Sequence, residues 1–142
     1  MAEQNPVGQS FPPFTFEVER GKMRELALAL GDENPIYSSR AAAEAAGYAD
    51  VPLYPTALTL FNFWYNTQLG KQMASVGVEV QRILHGEENY EYLAPISAGD
   101  TLTGVTTLTD ISTKKGKSTL SLYTFEVLYT NQRNQPVARL RQ

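Results

Sequence analysis

The chain changes its hydrophobic period twice. "FTFEVE" (Phe14 to Glu19) alternates apolar and polar side chains, the mark of a strand with one buried face. From Lys22 the spacing lengthens. Met23, Leu26, Ala27 and Leu30 fall at i, i+3, i+4 and i+7, one stripe of an amphipathic helix, and Gly31 supplies its C-terminal stop. "SSRAAAEAAGY" predicts a short second helix, capped by Ser38 or Ser39 and closed by Gly47. "YPTALTLFNFWYNTQLG" (Tyr54 to Gly70) opens on a proline suited to a first helical turn and ends on glycine. Leu58, Leu60, Phe61, Phe63, Trp64, Tyr65 and Leu69 surround most of this helix, so it is expected to be buried on most sides.

Beyond this helix the period is two. Val78, Val80, Leu84, Tyr90 and Tyr92 share a parity that Arg82 and Glu88 interrupt. Pro95 to Asp100 reads as a turn, Thr101 to Ser112 as a strand and Thr113 to Lys117 as a hairpin turn. Thr119 to Thr130 carries Tyr123, Phe125, Val127 and Tyr129 on one face and Leu120, Leu122 and Leu128 on the other. Apolar residues on both faces call for cover on both sides, or for a partner. Asn131 to Pro136 is a further turn and Val137 to Arg141 a last strand. The order predicts an α+β hot-dog fold, a long antiparallel sheet wrapped around a central apolar helix. Residues 1–13 are rich in Pro, Gln and Asn without periodicity and read as a flexible arm; residues 14–142 read as a single domain.

Composition narrows the function classes. The length, 142 residues, suits one ordinary domain, and 42% hydrophobic residues suffice for a core. With a net charge of −3 and its Lys and Arg scattered, the chain has no nucleic-acid footprint. The lack of cysteine excludes disulfides, thiolate nucleophiles and thiolate metal ligands. No apolar run approaches the roughly 18 residues of a membrane span, and the N-terminus lacks a signal pattern. A cytoplasmic protein is expected, with no metal, cofactor, membrane or nucleic-acid partner.

Four stretches, in order, carry a resemblance: "FEVERGKMRELALALGDENPIY", "AAAEAAGYADVPLYPTALT", "ILHGEENYEYLAPISAGDTL" and "VLYTNQRNQPVARL". Together they resemble the MaoC-like dehydratase family, in the N-terminal-domain type related to the A subunit of bacterial (3R)-hydroxyacyl-ACP dehydratases. The resemblance implies a hot-dog fold and an acyl thioester on CoA or acyl carrier protein. It also implies reversible addition of water to a trans-2-enoyl thioester, in a double hot-dog of two like or unlike subunits. Active members carry an acid, then Asn-Pro, then a histidine five residues after the acid. Asp32, Asn34 and Pro35 match; the histidine position is Tyr37.

That departure bears on the chemistry. Hydration needs one group to take a proton from water and one to deliver a proton to the α-carbon. Imidazole titrates near ~6.5, whereas a phenol near ~10 is a poor base at neutral pH. Tyr37 is then a hydrogen-bond donor or a holder of water. Without the family, "DENP" is a helix stop and a turn. His85, the only histidine, is placed by parity in a strand on the more polar face, with Gly86 a possible bulge. It reads either as a surface or subunit contact, or as a proton donor. The start of the apolar helix (Tyr54, Thr56, Ala57) is the candidate donor set for the thioester carbonyl, since helix N-termini carry unpaired N–H groups. Phe61, Trp64 and Tyr65 are candidate acyl-tunnel walls or simply core.

Three readings follow. The first is a subunit of an (R)-specific enoyl-thioester hydratase or 3-hydroxyacyl dehydratase, lacking the full Asp/His pair and completed by a second hot-dog subunit. The second is a homodimer whose altered site uses Asp32 with His85 or Tyr37. The third is a non-catalytic acyl-thioester binding module.

Overall fold

The computed structural model describes residues 5–116 and 118–142. Its elements follow in order: β1 (Phe14–Glu17), α1 (Arg20–Ala29), α2 (Arg40–Ala45), α3 (Ala57–Tyr65), α4 (Leu69–Ser75), β2 (Asn89–Tyr92), β3 (Thr101–Lys115), β4 (Thr119–Thr130) and β5 (Pro136–Arg141). One antiparallel sheet runs in the order β1-β3-β4-β5-β2. This is the predicted hot-dog architecture, with α3 lying across the inward face.

Register explains how the inward face is built. Tyr92, Ala138, Tyr129, Gly104 and Phe14 form one row across the sheet; Tyr90, Leu140, Val127 and Thr106 form the next. Gly104 is required in the first row. A Cβ there would lie 2.5 Å from the Phe14 ring and 3.0 Å from the Tyr129 ring, which meet edge-on. Leu58 and Phe61 of α3 are fully buried on this face, and each such burial contributes about 1.5–3 kcal/mol. Phe61 packs on Phe16 with ring centroids 4.7 Å apart. A second apolar cluster, Phe11, Val76, Leu108 and Phe125, lies farther along β3 and β4, with Met73 of α4 packed on it.

The structure corrects several expectations. The single helix expected from Tyr54 to Gly70 is two. Pro55 and Thr56 form a turn before α3, and Gly70 lies inside α4. The break falls at Asn66, whose side-chain amide donates to Gln72 Oε1 (3.0 Å) instead of facing solvent as on a continuous helix. That bend turns α4 over the second cluster. Nor is α3 buried on most sides: Phe63 and Trp64, on the face turned away from the sheet, are 59% and 48% exposed.

His85 is not in a strand. The 3-10 turn Val80–Arg82 and an irregular stretch occupy the expected strand region, and β2 begins only at Asn89. Pairing with β5 spans Asn89–Arg141 to Tyr92–Ala138, and among the described residues no strand pairs with 83–88. Leu30, the last residue of the expected α1 stripe, is exposed beyond the helix end. The β3–β4 hairpin is tighter than expected, since β3 continues to Lys115; Lys117 lies outside the described residues. Leu120 on the outer face of β4 is 49% exposed, and Leu122 and Leu128 are half-buried.

Part of the expected arm, Met1 to Gln4, lies outside the described residues. The rest runs along β3: Gly8 N–H donates to Leu108 O, Phe11 N–H donates to Thr106 O, and Phe11 is buried.

Candidate functional site

The "GDENPIY" stretch is built by its own side chains. Gly31, at φ 72°, ends α1 in the left-handed conformation that glycine adopts without strain. Asp32 Oδ1 accepts the Asn34 N–H at 2.9 Å, and Asn34 Oδ1 accepts the Ile36 N–H at 3.2 Å. Asn34 thereby caps a single 3-10 turn, Pro35–Tyr37. The stretch is a helix stop and a turn, and the turn also sets the Tyr37 ring against Tyr54, centroids 4.7 Å apart.

From there a string of phenols runs along the start of α3. Burial raises the Tyr37 and Tyr54 pKa above the ordinary phenol value, and the Asp32 carboxylate beside them raises both further. Tyr92 donates its hydroxyl to Pro55 O, the carbonyl just before α3. Its pKa is pushed far up, by burial first and then by the neighbouring Tyr90 and Tyr37 phenols. Tyr90 and Tyr92 stack in parallel at 6.5 Å. These shifts keep the phenols protonated at neutral pH, so they are hydrogen-bond donors and not bases. Tyr92 and Pro55 also line an open cleft of about 490 Å³, with Tyr48, Pro52, Leu53 and Leu93.

The string ends on a carboxylate. Tyr90 donates to Glu88 Oε2 at 3.0 Å and is itself bonded to the Thr59 hydroxyl of α3. The Glu88 side chain is only 12% exposed, and its other oxygen, Oε1, is buried without a hydrogen-bond partner. His85 Nε2 lies 3.8 Å from Glu88 Oε2, with the imidazole 58% exposed.

The expected site residues therefore separate. Asp32, Tyr37 and Tyr54 meet at one end, and His85 stands at the other end of the phenol string. Ala57 N–H, an expected carbonyl donor, is engaged by Tyr54 O at 2.9 Å, while Thr56 is exposed where α3 begins. Phe61 is core, and Tyr65 stacks on Phe16 at 5.0 Å. Trp64 faces outward with the Lys22 ammonium 5.3 Å from its ring. Sequence reasoning passed over Glu88, Tyr90 and Thr59. Alternation gave no usable signal for Glu88, because 83–88 forms no strand and Leu84 of the same parity is 86% exposed. Among the described residues no group of three or more His, Cys, Asp or Glu is placed to hold a metal ion, and no helix is long and apolar enough to cross a membrane.

Comparison with known proteins gives three kinds of match. The family described as FAS1-like, dehydratase domain region, matches residues 5–140. A UPF0336 protein of Streptomyces avermitilis is 38% identical over 121 residues, 84% of this chain and 80% of that protein. Among solved structures, the chain superposes on the C-terminally truncated HadBC (3R-hydroxyacyl-ACP dehydratase) complex of Mycobacterium tuberculosis. The TM-score is 0.82 at 23% identity, over 97% of this chain and 95% of that one. A MaoC-like dehydratase matches at TM-score 0.81 and 28% identity, over 96% of this chain and 40% of its own.

Proposed function

The chain belongs to the FAS1-like dehydratase-region family, and from that premise we propose that it is one subunit of an (R)-specific enoyl-thioester hydratase or 3-hydroxyacyl-thioester dehydratase, completed by a second hot-dog subunit. The observation that carries this reading is Tyr37. It stands where the active members' histidine would stand, in a matching frame of Asp32, Asn34 and Pro35. Its phenol is driven toward the protonated form by burial and by Asp32. A group held protonated cannot take the proton from water, so this end of the site lacks the general base that hydration needs. The partner would bring that base. This chain would contribute the exposed Thr56 at the start of α3, the apolar cleft beside Tyr92 and part of the acyl wall. The similarity to a chain of the HadBC complex supports pairing with an unlike subunit.

The test is co-expression with histidine-bearing hot-dog subunits and assay of crotonyl-CoA hydration. Activity is expected for the pair and not for the chain alone. Strong hydration by the purified chain would sink the idea of a deficient half and favour the homodimer with an altered site. That second reading uses Asp32 with His85 or Tyr37, and of these Tyr37 stands beside Asp32.

A further inference from the structure

We propose that Tyr90 and Tyr92 are positioning residues that clamp the start of α3 to the edge strand β2, so that a subunit pairing along the free edge of β2 also sets the substrate cleft. The inference rests on the two-subunit reading above and adds a route by which assembly reaches the site.

The two elements match in repeat. Tyr90 and Tyr92 stand at i and i+2 on the inward face of β2, a spacing of about 6.6–6.8 Å along a strand. Their hydroxyls meet Thr59 and the Pro55 carbonyl, four residues apart, a helical rise of about 6 Å. The two rings stand parallel with centroids 6.5 Å apart, so they form two rungs running in one direction.

Each rung has a fixed hydrogen-bond sense. Tyr90 gives its one hydroxyl proton to Glu88 Oε2 at 3.0 Å, so the Thr59 hydroxyl donates to the Tyr90 oxygen. The Glu88 side chain is only 12% exposed, which anchors this rung inside the protein. Tyr92 gives its proton to Pro55 O. That carbonyl lies two residues before Ala57, the first residue of α3, so the bond holds the backbone where the helix begins.

The clamp is also a wall of the cleft. Tyr92 and Pro55 both line the opening of about 490 Å³, and the exposed Thr56 follows Pro55 in the chain. The strand itself is lightly held. It is four residues long, and among the described residues it pairs with β5 on one side and with no strand on the other. A strand in that position gains order when a second chain pairs with its free edge. The two rungs carry that order to Pro55 and Thr59.

Hydrogen exchange read by mass spectrometry tests the clamp without any activity. Tyr90→Phe and Tyr92→Phe each remove one hydroxyl and keep the ring. In the isolated chain each should speed exchange of residues 54–60 about fivefold and leave residues 101–108 unchanged. Tyr123→Phe removes the hydroxyl bonded to Gly77 O and should leave 54–60 unchanged. Pairing with the histidine-bearing hot-dog subunit of the hydration assay should slow exchange at both 89–92 and 54–60 in the wild-type chain. With Tyr90→Phe and Tyr92→Phe combined, it should slow 89–92 alone. Unchanged exchange at 54–60 in both single variants overturns the clamp, and so does an equal rise along the whole chain. Slowing at 54–60 in the double variant as large as in wild type overturns the link to assembly. If no hot-dog subunit pairs with the chain, the two-subunit reading and that link fall together, and exchange in the isolated chain still decides the clamp.

Discussion

At the scale of single residues, burial and charge decide what each group does. Asp32 and Asn34 look catalytic in one dimension, yet an oxygen of each accepts a backbone N–H of the turn that follows α1. Asp50 drew no attention in sequence, yet among the described residues it is the carboxylate whose pKa is shifted most. Arg20 grips it through two hydrogen bonds of 2.7 and 2.6 Å, and Arg40 stands 3.6 Å away. Chiefly through the Arg20 bond, its carboxyl is held far below the ordinary value. A depressed folded-state pKa means stability that is fully present above the unfolded value, near ~3.9, and is lost as pH falls through the folded value. Arg20→Gln removes the main cause. Its acid unfolding, followed by circular dichroism, should begin at a higher pH than wild type. The difference in stability between the two proteins should be full at pH 7 and shrink below about pH 4.

At the scale of elements, the break between α3 and α4 does most to shape the interior. Asn62, Asn66 and Gln72 are buried at 0%, 4% and 8% exposure, and Asn66 bridges the other two. Two short helices joined by this polar link cover two apolar clusters that one straight helix could not reach together. Asn66→Ala leaves the Gln72 amide oxygen buried without its donor. It should cost about 1–3 kcal/mol, read as a lower urea midpoint with an unchanged slope. The sequence showed the apolar content of this region plainly. It did not show the break, because Asn66 looks like an ordinary polar position on a helix until Gln72 is brought beside it. The same holds at 78–88, where alternation pointed to a strand but β5 offers no partner before Asn89.

At the scale of the whole molecule, one side of the fold is unfinished. The outer edge of β2 pairs with no strand among the described residues. The stretch leading into it carries Val80, Ile83 and Leu84, the last 86% exposed, and α3 presents Phe63 and Trp64 outward. A free strand edge led into by exposed apolar residues suits a second subunit. Leu84→Asp should leave the thermal midpoint of the isolated chain within about 1–2 °C, since the side chain buries little here. It should weaken assembly with the proposed hot-dog partner, measured by light scattering of the mixture.

The sequence by itself determined the fold class, the first strand and helix, the closing antiparallel strands, the family and the Tyr37 at the histidine position. These rest on local periods, turn residues and motif spacing, which are properties of neighbouring positions along the chain. Tertiary structure alone decided that Asn66 meets Gln72 where α3 stops, that Asp32 and His85 stand at opposite ends of a string of phenols, and that Tyr90 reaches Thr59 of α3. Those facts depend on which side chains and strands the fold brings together. A pair such as Thr59 and Tyr90 meets only because β2 joins the sheet next to β5, a pairing that no local pattern specifies.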